Sequence, residues 1–298
     1  MIRNTNDGSN NPPTLRVYMN MGNLMDLPAW STGPDPSEPD QAKYERIKEA
    51  GFDGIQGGDA EACRKLGLGN AGGGRVNKPD EADHIARVGV DEGAECMTVH
   101  VAWGIEGDEE VDRLVGAILD ASATHDMPIY IETHRATITD DMWRTVQLTE
   151  RFDAVRFNGD FSHWYTGHEM PYGGFDAKCD FIEPVFERVR FMHGRIGNSG
   201  CMQVDIGDGE GGEKRPHVDH FREMWTRAML GFLRSAAPGD YLVFAPELLP
   251  AGINYARTVP GPDGEPREEG DRWQQALLYR DIAHECFAAA RSRLESTT

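Results

Sequence analysis

The chain has 298 residues, of which 39% are hydrophobic and 27% are charged, a composition typical of a globular domain. The 30 Lys and Arg residues are outnumbered by 50 Asp and Glu residues, which gives a formal net charge of −20 at pH 7. A field of that sign repels phosphate backbones and argues against a nucleic-acid partner. No stretch reaches the roughly 18–20 apolar residues that span a bilayer, so no membrane partner is expected.

Residues 1–13 are polar and lack the apolar segment of a secretory signal, so we expect them to form a flexible N-terminal arm. The five cysteines are scattered and include no C-x-x-C pair, which argues against a disulfide framework or a thiolate zinc site. Reduced thiols are typical of the cytoplasm, which is therefore the predicted location of the protein.

Strand-like and helix-like segments alternate along the first half of the chain. The pattern predicts strands at Thr14–Asn20, Asp53–Gly57 and Gly67–Gly72. It predicts helices at Asp40–Ala50, at Ala60–Leu66 and from Lys78 to Gly93. The third strand is rich in glycine and has the weakest strand pattern of the series.

The second half continues the alternation. Predicted strands cover Glu95–Trp103, Pro128–His134, Ala154–Asp160, Val189–Gly194 and Tyr241–Leu248. Predicted helices cover Asp108–Thr124, Asp140–Phe152, Phe181–Arg188, Val218–Ser235 and Gly270–Leu294. Eight strand–helix units predict a single α/β domain over residues 14–298, a (β/α)8 TIM barrel. An open doubly wound sheet is the alternative, but the Gly-rich turn that it needs is missing after the first strand.

The longest connection in this pattern, Ile196–His217, follows the seventh strand. A connection of this length is uncommon in a compact domain and is usually functional or disordered. A lid over the barrel mouth and a solvated insertion both agree with its sequence, so its role stays open at this stage.

Side chains that bind metals stand at the carboxyl ends of predicted strands five to eight. They are Glu132 in IETH, Asp160 in RFNGD, His193 in RFMHG and Glu247 in VFAPEL. In a barrel these strand ends meet at one rim, where three carboxylates would repel each other without a cation between them. An oxygen-rich set with one imidazole suits a single divalent ion: Mn²⁺, which we favour, or Mg²⁺, Co²⁺ or Fe²⁺.

The order Glu, Asp-x-x-His, His-x-Arg and Glu on these strands resembles the xylose-isomerase-like TIM-barrel superfamily. Within it, the chain is most similar to the sugar phosphate isomerase/epimerase branch that includes the D-tagatose and D-psicose 3-epimerases. The resemblance covers essentially all of residues 14–295. It implies that the four side chains hold the metal and that Glu132 and Glu247 are also the acid/base pair.

Several residues near the same rim are candidates for substrate binding. The resemblance implies this role for His163, three residues after Asp160, and for Arg195, two residues after His193. His100 and Trp103 close the fourth strand, where a tryptophan can stack on a sugar ring.

The chain departs from the epimerases after the fifth strand. The epimerases carry a further glutamate six residues after the strand-five ligand, and Ile138 stands at that position here. Instead, His134 and Arg135 follow Glu132 closely and bring donors and positive charge to the rim. We therefore count His134 among the substrate-binding candidates, with a phosphate, carboxylate or keto group as its partner.

These residues predict a divalent-metal-dependent isomerase or epimerase that acts on a sugar or polyol ketone through a metal-stabilised enediolate. One of Glu132 and Glu247 removes the proton next to the carbonyl and the other returns it. Loss of a β-substituent from the same intermediate would instead make a metal-dependent lyase or dehydratase on a keto-sugar, keto-inositol or keto-glycoside. The expected partner is a small-molecule carbohydrate or related polyol, and a homo-oligomer stays open.

Overall fold

The computed structural model describes residues 2–296, so Met1, Thr297 and Thr298 lie outside it. Its centre is a closed barrel of eight parallel strands: β1 (Thr14–Asn20), β2 (Gly54–Gln56), β3 (Gly69–Val76), β4 (Cys96–Val101), β5 (Ile129–Glu132), β6 (Phe157–Gly159), β7 (Val189–Gly194) and β8 (Asp240–Pro246). Each strand pairs with the next, and β8 pairs with β1 through Leu242 and Leu15, which closes the sheet. The predicted (β/α)8 TIM barrel is confirmed.

Helices surround the barrel. The α-helices are Asp40–Glu49, Ala60–Leu66, Pro79–Asp91, Asp108–His125, Met142–Arg151, Ser162–Gly167, Phe175–Phe181, Glu183–Phe186, Pro216–Ser235 and Arg272–Glu295. The predicted helix Phe181–Arg188 is replaced by two short ones, because Pro184 has no N–H to continue the first of them. Within the described part of the chain, no helix combines the length and apolarity needed to cross a membrane.

Strand β3 extends further than its glycine-rich sequence predicts, to Val76. Close packing requires glycine at positions 69 and 72. A Cβ on Gly69 would lie 2.0 Å from the Tyr18 hydroxyl oxygen, and a Cβ on Gly72 would lie 2.4 Å from the Met97 sulfur. The low strand propensity of glycine is therefore overridden by the large side chains that face it.

The N-terminal segment differs from the flexible arm that was predicted over residues 1–13. Thr5–Asn6 forms a short strand antiparallel to the start of β8, with Thr5 opposite Tyr241, and Ile2 is 3% exposed. The Asn4 and Asn6 side-chain amides each donate to the Asp240 carboxylate at 2.7 Å. Polar composition was misleading here because the polar side chains bond to the barrel instead of to water.

The long connection after β7 is packed against its surroundings. Val204 and Ile206 are buried. The Gln203 side chain exchanges two hydrogen bonds of 2.9 Å with the backbone of Leu249, which lies beyond β8. The Ile206 N–H donates to Gln275 Oε1 on the last helix at 3.1 Å. Residues 196–206 are therefore packed against the barrel and the last helix, whereas most of residues 207–217 are half-buried or exposed.

The last helix is capped by Asp271, and we expect this cap to contribute to stability. The carboxylate of Asp271 accepts from Trp273 N at 3.0 Å and from Ser31 Oγ and Thr32 N at 2.7 and 2.8 Å. Burial raises the pKa of Asp271, but these hydrogen bonds outweigh burial and lower it below the usual 3.8. Because the pKa of Asp271 is lower in the folded than in the unfolded protein, its ionised carboxylate stabilises the fold at pH values above the unfolded pKa. This contribution is lost as the pH falls through the folded pKa.

Asp271→Ala should lower the free energy of unfolding at pH 7 by about 1–2 kcal/mol, measured by urea denaturation. The difference from wild type should shrink below about pH 4. Asp281→Ala, at an exposed position of the same helix, serves as the control and should change stability by less than about 0.5 kcal/mol. Equal losses in the two variants at both pH values would contradict the capping role.

Candidate functional site

The four predicted metal ligands converge at the mouth of the barrel. Glu132 ends β5, Asp160 follows β6, His193 lies in β7 and Glu247 follows β8. One ligand atom from each residue lies within 4.8 Å of the others.

The strand register explains this convergence. Glu132 is paired with Asn158, Asn158 with Phe191, and Phe191 with Val243. Side chains of a strand alternate between its two faces, so steps of two residues keep the same face. Asp160 and His193 each lie one such step beyond Asn158 and Phe191, and Glu247 lies two steps beyond Val243. The sequence positions and the register together direct all four side chains into one pocket.

Arg195 lies among the carboxylates of this pocket. Its Nη2 donates to Asp160 Oδ2 at 2.8 Å and also contacts Glu247 Oε2, and its side chain is 1% exposed. Burial opposes the charge of this guanidinium, but Asp160 and Glu247 raise the pKa of Arg195 above its usual value. Its Nε and Nη1 are buried and have no hydrogen-bond partner among residues 2–296. The residue predicted to bind substrate therefore also neutralises part of the acidic cluster.

The pKa of Asp160 reflects the same pairing. Burial raises it, but Arg195 and His163 outweigh burial and hold the pKa of Asp160 below its usual range. Ser162 Oγ also donates to Asp160 Oδ1 at 2.6 Å. Asp160 is therefore ionised at neutral pH although its side chain is fully buried.

The imidazole of His193 is oriented by an amide. His193 Nε2 lies 2.9 Å from Gln56 Oε1, an acceptor, so Nε2 carries the proton of that hydrogen bond. His193 Nδ1 faces the carboxylates, at 3.3 Å from Glu132 Oε1 and 3.5 Å from Glu247 Oε2. Burial lowers the pKa of His193, but Glu247 and Glu132 outweigh burial and raise it to about 9. A histidine with one nitrogen held by an acceptor and the other turned to carboxylates is arranged as a metal ligand.

Three amide residues that the sequence analysis did not identify belong to this pocket. Besides Gln56, they are Asn158, whose Nδ2 lies 3.1 Å from Glu132 Oε2, and Asn20. Asn20 Nδ2 donates to Gln56 Oε1 at 3.0 Å and to Glu247 Oε1 at 3.2 Å. The available signal was a polar residue within or at the end of an otherwise apolar strand, at Asn20, Gln56 and Asn158.

Three predicted substrate-binding histidines form a row beside the ligands. The ring centroids of His100 and His134 are 4.1 Å apart, and those of His134 and His163 are 3.9 Å apart. His100 Nε2 lies 3.3 Å from Glu132 Oε2, and His163 Nε2 lies 3.4 Å from Asp160 Oδ2. Both ring nitrogens of His163 are buried without a hydrogen bond to any residue that the structure describes. The row therefore borders the metal-ligand cluster along one side.

The middle histidine of the row is a neutral base. His134 Nδ1 lies 2.5 Å from the carbonyl oxygen of Arg135, so Nδ1 carries the proton and Nε2 keeps its lone pair. Burial and the neighbouring His163 lower the pKa of His134 to about 3. One ligand atom each of His100, Glu132 and His134 also lies within 4.8 Å of the others, next to the first cluster.

Trp103 and Ile138 lie outside the ligand cluster. Trp103, the remaining predicted substrate-binding residue, is 55% exposed at the rim, and its ring lies 4.5 Å from Arg75 Cζ. Ile138, at the position where the epimerases carry a glutamate, is fully buried in the hydrophobic core.

The fold and this pocket define a (β/α)8 barrel with a metal-competent acidic centre at the carboxyl ends of β5 to β8. The chain is similar to a xylose isomerase-like TIM-barrel protein from Mycobacterium smegmatis, solved in complex with magnesium (13% identity, TM-score 0.55, covering 93% of this chain and 98% of that one). It is also similar to a D-tagatose 3-epimerase-like protein (11% identity, TM-score 0.54, covering 94% and 100%).

A third similar structure is the probable 3-DHS dehydratase AsbF, involved in petrobactin synthesis, from Bacillus anthracis (12% identity, TM-score 0.52, covering 89% and 96%). At these identities the likeness concerns the fold, and at that level the resemblance to the xylose-isomerase-like TIM barrels is confirmed. No protein-family model and no curated protein matches the chain.

The orientation of His193 by Gln56 can be tested through metal affinity. We expect wild type to bind about one equivalent of Mn²⁺ at the four-ligand cluster, measured by elemental analysis and calorimetry. Gln56→Leu should weaken that affinity about 10–100-fold, because the imidazole loses the acceptor that holds its Nε2–H. Gln41→Leu, at an exposed position of an outer helix, is the matched control and should bind as wild type does. Unchanged affinity in Gln56→Leu would show that Gln56 does not orient the ligand.

Proposed function

We propose that the protein is a divalent-metal-dependent isomerase or epimerase that moves a proton next to the carbonyl of a sugar or polyol ketone. The observation that carries the proposal is the position of two glutamates, at the ends of β5 and β8, in one pocket that could hold a metal ion. Each carboxylate lies within 3.5 Å of His193 Nδ1. Epimerase-like and xylose isomerase-like proteins are among the similar barrels.

The residues present fit a divalent ion. Glu132, Asp160, His193 and Glu247 would hold it, since three carboxylates and one imidazole are donors that Mn²⁺ and Mg²⁺ accept. We favour Mn²⁺ and keep Mg²⁺, Co²⁺ and Fe²⁺ as alternatives. A divalent ion bound there would polarise a carbonyl oxygen and make the neighbouring C–H more acidic.

We assign Glu132 as the base of the pair. Burial raises its pKa, but His193 and His100 outweigh burial and lower the pKa of Glu132 well below its usual value. It is therefore ionised at neutral pH and able to accept a proton from carbon. Asn158 donates to one of its oxygens and fixes the carboxylate in the pocket.

Glu247 is the partner that delivers a proton, which it takes up from solvent before the step. Its side chain is 14% exposed, against 3% for Glu132, so it lies on the more open side of the cluster. Arg195 and Asn20 both donate to its oxygens. Return of the proton to the same carbon from the other face gives an epimer, and return to the neighbouring carbon gives an isomer.

The surroundings of the two glutamates agree with a small polyhydroxylated substrate. His163 Nδ1 is buried without a hydrogen bond to any residue that the structure describes and is available to a substrate oxygen. The exposed ring of Trp103 offers an apolar face for a sugar. A role in carbohydrate metabolism in the cytoplasm is part of this proposal.

A metal-dependent lyase or dehydratase on a keto-sugar, keto-inositol or keto-glycoside is the second candidate. The state of His134 favours this candidate. Its Nδ1–H is used in a hydrogen bond to the Arg135 carbonyl oxygen, so its Nε2 keeps a lone pair that can accept a proton. Elimination needs a base for the proton next to the carbonyl and a proton donor for the leaving group, and His134 offers a further base beside the two glutamates. One of the similar barrels is described as a probable dehydratase.

Solvent exchange tests the acid/base pair. In D₂O, the Mn²⁺-loaded protein should introduce deuterium next to the carbonyl of its ketone substrate. Glu132→Gln and Glu247→Gln should slow this exchange about 10²–10⁴-fold, because an amide cannot take up the proton. Glu109→Gln, at an exposed position of an outer helix, is the control and should exchange as wild type does.

The product distinguishes the two candidates. An isomerase or epimerase leaves the mass of the substrate unchanged apart from deuterium, whereas a lyase releases water or another leaving group and forms an ultraviolet-absorbing enone. If Glu132→Gln kept most of the exchange rate while remaining folded, the assignment of Glu132 as base would be refuted.

A further inference from the structure

We propose that the substrate carries a negative charge, as a carboxylate or a phosphate, and that Arg135 and Arg75 receive it at the mouth of the barrel. This inference rests on the proposed function, since it names the substrate class of the same pocket. It follows from where positive charge remains unbalanced around that pocket.

The inner part of the pocket is electrically balanced once a divalent ion is bound. Glu132, Asp160 and Glu247 supply three negative charges, and Arg195 supplies one positive charge through its contacts with Asp160 and Glu247. A divalent cation supplies the other two. Any further cation at the mouth is therefore in excess of what the metal ligands require.

Arg135 is the first such cation. It follows the ligand strand β5 by three residues and is exposed, and within residues 2–296 its guanidinium has no hydrogen bond or ion pair. Its side-chain contact is with the ring of Tyr255, 5.4 Å from Arg135 Cζ. The same ring lies 4.6 Å from Cζ of Arg195. Tyr255 therefore links a free guanidinium to the arginine that contacts the metal ligands.

Arg75 is the second cation in excess of what the metal ligands require. It lies near the end of β3, where Nη1 donates to the Ala102 carbonyl oxygen at 2.6 Å and Nη2 lies 3.3 Å from His100 Nδ1. Its Cζ lies 4.5 Å from the ring of Trp103. These partners carry no negative charge, and His100 connects Arg75 to Glu132.

The nearest carboxylates in the loops after β4 and β5, Glu106 and Asp140, accept hydrogen bonds from backbone groups. Glu106 accepts from Trp103 N at 3.1 Å and from Gly104 N at 2.8 Å, and Asp140 accepts from Ala136 N at 3.1 Å. They shape the loops after β4 and β5 and make no ion pair with the two arginines within the described chain.

A chain with a net charge of −20 has many carboxylates with which these arginines could pair. It nevertheless leaves two guanidiniums without an anionic partner beside the pocket. A guanidinium offers a planar fork of donors that matches a carboxylate or a phosphate, and a cleft concentrates its field on an approaching anion. A neutral sugar would leave this charge unused, whereas an anionic ketone would balance it.

Three six-carbon ketoses test the inference in the Mn²⁺-loaded protein: neutral D-fructose, the carboxylate 5-keto-D-gluconate and the phosphate D-fructose 6-phosphate. The readout is deuterium exchange next to the carbonyl, expressed as kcat/KM. We expect at least one charged compound to exceed D-fructose by about tenfold or more, and the better of the two identifies the anion. Arg135→Gln should reduce this preference about tenfold, mainly through KM. Arg113→Gln, an exposed outer-helix control with the same charge change, should keep it.

Inorganic phosphate separates this inference from the proposed function. Titrated calorimetrically into the Mn²⁺-loaded protein without ketose, it should bind to wild type and Arg113→Gln, and about tenfold more weakly to Arg75→Gln and Arg135→Gln. If no ketose exchanges but phosphate binding depends on these arginines, the proposed function fails and the anion site stands. Exchange of D-fructose as fast as both charged ketoses, absence of phosphate binding when neither charged ketose is preferred, or an unchanged affinity for the anion in Arg135→Gln would each overturn the inference.

Discussion

Repulsion among three carboxylates is the constraint on which the barrel mouth depends. Glu132, Asp160 and Glu247 lie with His193 inside a 4.8 Å cluster, and like charges at such distances repel strongly away from bulk water. The chain compensates in part with Arg195, which reaches two of the three. The remaining negative charge favours a cation in the pocket, and Gln56 turns the one imidazole toward the same centre.

Much of the fold could be predicted because its pattern is local. Apolar strand segments followed by helical segments recur eight times, and barrel closure follows from parallel pairing. The N-terminal strand could not be predicted, because Thr5–Asn6 is ordered by partners at Asp240 and Tyr241, more than 230 residues away along the chain. Strand β3 was underestimated because Tyr18 and Met97 require the glycines that weaken its pattern.

Part of the candidate site could likewise be predicted from the sequence, and part could not. The convergence of the four predicted ligands could be anticipated because each ends or follows a recognisable strand, and strand ends share one rim. Arg195 was expected at the substrate, but the structure also pairs it with Asp160 and Glu247 at the ends of the neighbouring strands β6 and β8, contacts that spacing along one strand cannot reveal. Asn20 and Gln56 escaped notice because sequence alone does not say which face of β1 or β2 points inward.

The anchoring of the long connection has a consequence for how small molecules enter and leave. Gln203 holds both backbone groups of Leu249, so the segments after β7 and β8 are fastened to each other and to the last helix through Gln275. Movement on that side would have to carry all three together.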